Sequence, residues 1–252
     1  SFGSETVFTL NRAVAQELYP KRRALAVRRP EDLRALVRTR LGLSVEPAPA
    51  GAEGGKAGVV VAGVPRADAE QLQQAGFEVL AAEPGTIPEG RGGYSAAYQA
   101  AAREWLFGRS LVARHTEAVL RAVAELRARP HVNPRKIWVW GRGAAGVAAL
   151  LAAALDDNVA GVAAEQTVTS WYAITQAKLH EGVAETVVPG VLRDFDLPDL
   201  VNLIAPRPLW LVDPRTPGGG RSQASEWPRQ WVQVVERPED WPVMKWLEPL
   251  FR

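Results

Sequence analysis

The sequence predicts an α/β fold: a mostly parallel sheet with helices on both faces. Three observations point there. Short apolar runs rich in Val, Ile and Leu recur along the chain, stretches of helical period separate them, and the 22 Gly and 19 Pro are scattered between them as turn punctuation. With 252 residues, 47% hydrophobic and 23% charged, the chain can bury one sizeable core, which excludes disordered, collagenous and coiled-coil classes.

Residues 1–50 read as a helical lead-in or interdomain segment, with Arg29-Pro-Glu-Asp32 opening a helix and Gly42 closing it. A loop from Pro47 to Gly55 follows, and residues 51–252 form the α/β domain. Its first strand is Ala57–Gly63, then come a helix over Ala67–Ala75 and a strand over Phe77–Ala82. Glu83 to Gly93 is a long loop. Leu111–Leu126 sets Val112, Val119, Val123 and Leu126 on one stripe, the mark of an amphipathic helix, ended by Pro130. Strand Ile137–Trp140, helix Ala144–Leu155 and strand Val159–Ala164 continue the alternation. An irregular or helical excursion spans Trp171–Leu203, followed by strands Leu209–Val212 and Trp231–Val235 and a terminal helix over Pro242–Phe251.

Charge and composition narrow the function classes. Net charge is only +2, too weak a field to gather nucleic acid. Residues 101–150 carry nine basic and three acidic groups, residues 151–200 two and eight, so contact between these segments or with a partner is expected. The run Lys21, Arg22, Arg23, Arg28, Arg29 has no interleaved aromatic residues and reads as a solvated or interdomain face rather than a phosphate or lipid surface. The absence of Cys excludes disulfides, thiolate metal sites and a cysteine nucleophile. The longest apolar run, Ala144–Leu155, is shorter than the ~20 residues of a membrane span. Beginning on Ser1 rather than Met, the chain reads as a processed protein or a piece of a longer one.

The most informative stretch is Ile137-Trp-Val-Trp-Gly141-Arg142-Gly143-Ala144-Ala145-Gly146, a strand passing through a glycine turn into a helix. Two chemistries use that shape. As G-x-G-x-x-G it would seat a dinucleotide pyrophosphate on the helix N-terminus, with Glu165 placed for the ribose. As G-x-S-x-G it would be a nucleophile elbow, but position 143 holds glycine instead of serine, and no Ser, Thr, Cys or Tyr occurs between Thr116 and Thr167.

The wider chain resembles the α/β-hydrolases, in particular the acetylxylan esterase-like and peptidase-like bacterial members. The likeness rests on Arg109–Leu120, the lead-in His131-Val-Asn-Pro-Arg-Lys136, Ala148–Asp156, Val188–Leu192 with Phe195–Asp199, and Ala205-Pro-Arg-Pro-Leu209, and covers roughly residues 57–252. The resemblance implies a triad in the order Ser, acid, His. Gly143 stands at the nucleophile position and Asp213 is the available acid, although the acid of such families often lies nearer Thr216. The histidine belongs near Pro238–Trp241, yet His115, His131 and His180 all lie upstream of Asp213. Without hydroxyl and imidazole the acyl-enzyme route lacks nucleophile and base. A backbone oxyanion hole at Ala144 would survive, with Arg142 and Ser170 near the same edge, so a small carboxylate or sugar could bind without turnover.

The expectation is therefore a catalytically degenerate hydrolase-like domain serving as a binding, scaffolding or interdomain module, with a protein partner or adjacent domain and no metal or other cofactor. An active acetyl-ester hydrolase with a displaced nucleophile is one alternative; a dinucleotide-binding protein using Gly141, Gly143 and Gly146 is the other. The resemblance slightly favours a periplasmic or extracellular setting. Among single residues, His115 reads as interior or interfacial, and His131 and His180 as residues of exposed turns. Asp156-Asp157-Asn158 reads as helix-end chemistry, and Asp194, Asp196 and Asp199 as caps for a helix near Leu197 rather than a functional carboxylate pair. Of the 9 Trp, five (Trp210, Trp227, Trp231, Trp241 and Trp246) fall in the last quarter and read as core rather than as a sugar platform.

Overall fold

The computed structural model describes residues 6–27, 29–47, 55–83, 95–238 and 242–247. Strands β1 (Lys56–Ala62), β2 (Glu78–Ala81), β3 (Val132–Arg142), β4 (Gly161–Glu165), β5 (Leu209–Val212) and β6 (Gln233–Val235) form one sheet, ordered β2-β1-β3-β4-β5-β6. Every neighbouring pair is parallel. The helices are α1 (Val7–Leu18), α2 (Pro30–Leu41), α3 (Arg66–Gln74), α4 (Ala96–Leu106), α5 (Leu111–Ala128), α6 (Ala144–Leu155), α7 (Trp171–Gln176), α8 (Val201–Ile204) and α9 (Val243–Leu247).

Period-two alternation divides the core. Val60, Ile137, Val139, Val162, Leu209 and Leu211 face one side, where α2, α5, α6 and α8 pack. Val59, Val61, Trp138, Trp140, Ala163, Trp210 and Val212 face the other, covered by Leu72 of α3 and Val243 and Leu247 of α9. Both faces are thus dry, which is why the strands read as continuous apolar runs. Helix α6 is buried along nearly its whole length and is accordingly apolar all round, with no charged residue to mark a solvent face.

The lead-in joins the larger core through Ala15, Leu33, Val37 and Leu41. Of its basic run, Arg22 turns inward as a two-pronged donor to Asp199 (2.6 and 2.9 Å), while Lys21, Arg23 and Arg29 remain exposed, and Arg28 lies outside the described residues. The predicted contact between oppositely charged segments is present as the buried Arg127–Asp156 pair at 3.0 Å. Asp196 and Asp199 form the expected cap, a capping box on the one-turn helix 197–200, and Asp194 pairs with Arg40 and Arg23.

Three features differ from the sequence expectation. Helix α4 was not predicted; Ser95 caps it by accepting the Tyr98 N–H, and its alanines carry helix propensity without a periodic stripe. Strand β3 reaches back to Val132, with a register irregularity against β1 between Lys56 and Gly58. Trp231 precedes β6 in a turn and is half exposed, while Trp138, Trp140, Trp171, Trp210 and Trp227 are buried as expected. Trp241, the side chain of Trp246 and most of the loops predicted over 47–55 and 83–93 lie outside the described residues.

The Ala205-Pro-Arg-Pro-Leu209 entry to β5 has a clear structural task. The Arg207 guanidinium donates to five backbone carbonyls, those of Ala153, Asp156, Val159, Leu203 and Ile204, tying the C-terminal end of α6 to α8 and the approach to β4. Substituting Arg207→Ala leaves several of these acceptors dry, and urea unfolding should report a loss of at least about 3 kcal/mol.

Candidate functional site

The chain runs from β1 outward to β2 and returns to β3, so the strand order reverses between β1 and β3. The carboxyl ends of strands at such a reversal form the crevice in which open α/β sheets hold ligands. Here that crevice receives the turn after β1 at Gly63, the end of β3 at Arg142, and the N-terminus of α6.

Gly143 forms the apex, with φ 61° and ψ −130°, a backbone region that L side chains enter only under strain. Its N–H donates to the Glu165 carbonyl (2.8 Å), and its own carbonyl accepts from Gly146 N–H (3.0 Å). The three glycines serve different needs. A Cβ on Gly141 would lie 2.3 Å from the Ala145 carbonyl oxygen, and one on Gly146 2.8 Å from Thr167 Cβ, so these two permit close packing of α6. A Cβ on Gly143 would meet nothing within 4 Å; only the backbone angle calls for glycine there. No side chain caps α6, and the first amides of a helix have no intrahelical acceptor, which leaves Ala144 and Ala145 N–H groups to serve the crevice.

The dinucleotide expectation meets an obstacle at Glu165. That side chain is 1% exposed and accepts hydrogen bonds from Trp140 Nε1 (3.0 Å) and Arg237 (3.0 Å), so it is not offered to a ribose. Burial pushes its carboxyl above the usual range against the pull of Arg237 and Arg142. Ser170 is likewise corrected: it caps α7 by accepting Ala173 N–H, donates to Asp196 (2.6 Å), and is buried in that work.

Asp213 directly follows β5, where the sequence resemblance places the acid; Arg237 lies two residues beyond β6, just before the stretch Pro238–Trp241 to which the resemblance assigns the histidine, of which only Pro238 is among the described residues. Asp213 adopts φ 44° and is 6% exposed; Oδ2 accepts from Arg237 N–H (3.3 Å), and Oδ1 is buried without a partner. The Arg237 side chain donates to Glu165 and to Asp68 of α3 (3.1 and 3.2 Å), with its guanidinium 5.9 Å from the Trp140 ring centre. Sequence reasoning sought a histidine from Pro238 onward and passed over Arg237 one residue before.

Three cavities open around the turn. One of about 350 Å³ is lined by Arg142, Asp213, Arg215, Arg221 and Arg237 with Gln166, whose side-chain oxygen accepts twice from Arg142 (3.1 and 3.2 Å). A second, about 430 Å³, has Gly143, Ala144, Thr167 and Arg215 in its wall. The third, about 320 Å³, lies against Gly63, His115, Arg142, Ala144 and Ala145. Of the predicted site residues, Arg142 is shared by the first and third cavities and Ala144 by the second and third. Gly143 lies in the second, Asp213 in the first; Gly141 supports from behind, and Ser170 lines none of the three.

No imidazole among the described residues meets a hydroxyl. His131 pairs with Glu78 (3.2 Å) and His180 with the Ile174 carbonyl (2.8 Å), while buried His115 has an unpartnered Nε2. His131 and His180 are exposed, as expected. No group of three or more His, Cys, Asp or Glu side chains suited to a metal occurs among the described residues. No helix among them is long and apolar enough to cross a membrane.

With this geometry in view, the chain can be set beside solved structures. A candidate acetyl xylan esterase from Bacteroides fragilis superposes with a TM-score of 0.64 at 11% identity, covering 94% of this chain and 83% of that one. This chain has the α/β-hydrolase fold. Two further solved structures match it: a methylesterase (TM-score 0.55, 17% identity, 93% of this chain and 64% of that) and a CE15 glucuronoyl esterase from Caldicellulosiruptor kristjansonii (0.50, 15%, 82% and 69%). No protein-family model matches the chain, and no curated protein matches it. In this fold the Gly141–Gly146 turn runs from strand to turn to helix, the shape of a nucleophile elbow.

Two outcomes follow for stability. Removing one member of a buried ion pair strands the other, so Arg237→Ala should cost about 3–5 kcal/mol in urea unfolding, and adding Glu165→Gln should recover part of it. His115, pushed down to about 4 by burial and by Arg114, takes up its proton less readily folded than unfolded (6.5). The fold is therefore unaffected by this group above pH 6.5 and loses about 3 kcal/mol of stability through it as pH falls toward 4. Unfolding measured across that window should lose this component in His115→Leu.

Proposed function

We propose that this α/β-hydrolase domain retains the hydrolase crevice as a binding site and performs no acyl transfer. The observation that supports it most is the apex of the elbow: the backbone is bent as for a raised nucleophile, the space above is open, and the residue is Gly143. Arg237 beyond β6 adds to this, because its guanidinium donates to Asp68 and Glu165 and has no lone pair with which to take a proton.

What persists is recognition of a carbonyl or carboxylate. The uncapped α6 amides and the Arg142 guanidinium form a donor surface, which suits the acid or ester group of a small ligand. The names of the structural neighbours, an acetyl xylan esterase and a glucuronoyl esterase, make an acylated or acidic carbohydrate a natural candidate. In this reading the domain serves as a binding or scaffolding module beside a protein partner or an adjacent domain.

One observation favours an active acetyl-ester hydrolase instead. The Thr167 hydroxyl is buried without a partner in the wall of the second cavity. It has no imidazole beside it, and Thr167→Ala should leave any ester turnover unchanged. The test is release of acetate from 4-nitrophenyl acetate and acetylated xylo-oligosaccharides, expected at the rate of the blank; turnover above it overturns the proposal. Gly143→Ser should fold at a cost of about 1–3 kcal/mol, from the backbone alone, and gain no turnover. A carboxylate held at ~100 times its dissociation constant should stabilise the wild-type protein by ~2.7 kcal/mol.

A further inference from the structure

The third cavity, about 320 Å³, differs in character from the arginine-lined one. Its walls divide in two. Ala62, Ala82 and Val119 are buried apolar side chains from the end of β1, from just beyond β2 and from α5. Facing the turn are Arg142 and the N-terminal residues of α6, Ala144 and Ala145, whose amides have no acceptor within the helix. His115 supplies an independent observation: its side chain lines this cavity, the residue is 7% exposed, and Nε2 has no hydrogen-bond partner among the described residues. A buried ring nitrogen left unpaired is costly, and such exceptions call for a ligand, a water or a functional reason.

We propose that this cavity binds a short-chain monocarboxylate, with the carboxylate bridging His115 Nε2–H, Arg142 and the Ala144–Ala145 amides and the alkyl end resting on Ala62, Ala82 and Val119. The inference rests on the reading of the crevice as a binding site and adds to it a ligand class, a polarity and a histidine. A neutral imidazole has one N–H, and a carboxylate placed at Nε2 selects the tautomer that donates from there. His115 is neutral at pH 7, so it donates without changing charge. Glu185 also borders the cavity, and burial raises its carboxyl above the usual range. The apolar half separates this ligand from phosphate or sulfate, which would leave those side chains without contact and gain nothing from them.

Calorimetric titration of the full chain at pH 7 with butyrate, butyramide and inorganic phosphate tests the assignment. Butyrate should bind, butyramide at least tenfold more weakly, and phosphate not measurably. His115→Leu should remain as stable as the wild type or become more so, because it removes an unpaired buried nitrogen, and should weaken butyrate at least tenfold. His115→Gln, which restores a donor, should recover part of the affinity, and the His115 Nε2 resonance should move on titration in the wild type. No butyrate binding, equal binding by phosphate, or undiminished binding to His115→Leu overturns the inference. Ester turnover is read separately, so loss of the carboxylate site and loss of the non-catalytic reading are distinguishable.

Discussion

The bend of the backbone at Gly143 is the constraint from which the rest of the site derives. Helix α6 descends so closely onto β3 that the Ala145 carbonyl occupies the place of any side chain at 141, and Thr167 does the same at 146. The chain must then reverse from strand to helix in very few residues, and the hydrogen bond from Gly143 N–H to the Glu165 carbonyl fixes the reversal against the next strand. The amides of α6 consequently point into the crevice at the β1–β3 reversal, and all three cavities share residues with this turn. Packing imposes the shape, and the shape persists whichever residue stands at the apex.

In the proposed reading, electrostatics separates this crevice from a catalytic one. A general base must offer a lone pair to a proton, and the side chain beyond β6, Arg237, is a guanidinium donor with none to offer. Arg237 instead neutralises Glu165 and Asp68 and orders the ends of β4, β6 and α3. The Asp213 carboxylate accepts from the Arg237 backbone amide, and no imidazole among the described residues pairs with it. Arg237, Glu165, Asp68 and Asp213 together form a charged, hydrogen-bonded wall beside the arginine-lined cavity.

Much of the fold was legible in the sequence because burial on both sheet faces writes continuous apolar runs, as in Val59–Ala62, Ile137–Trp140 and Leu209–Val212. The elbow was legible because three glycines at close spacing between such a run and an apolar helix have few structural uses. Helix α4 was not, since an alanine-rich segment carries no stripe. The site was read only in part. Gly143, Arg142, Ala144 and Asp213 were visible from the order of strands, whereas the roles of Arg237, Asp68 and Glu165 depend on contacts between residues 72 to 169 positions apart, which no local pattern records. Ser170 misled because its nearness in sequence to β4 says nothing of its commitment to Asp196. His115 was expected to be interior, as it is, but the sequence gives no hint that its ring nitrogen would be left without a partner.

The most direct measurement is the intact mass of the protein after exposure to a fluorophosphonate, a reagent that captures any activated hydroxyl nucleophile. A crevice with neither nucleophile nor base should leave the mass unchanged while a serine esterase run alongside is fully modified. Stoichiometric addition of one phosphonyl group, mapped to a serine or threonine lining the three cavities, would contradict the account.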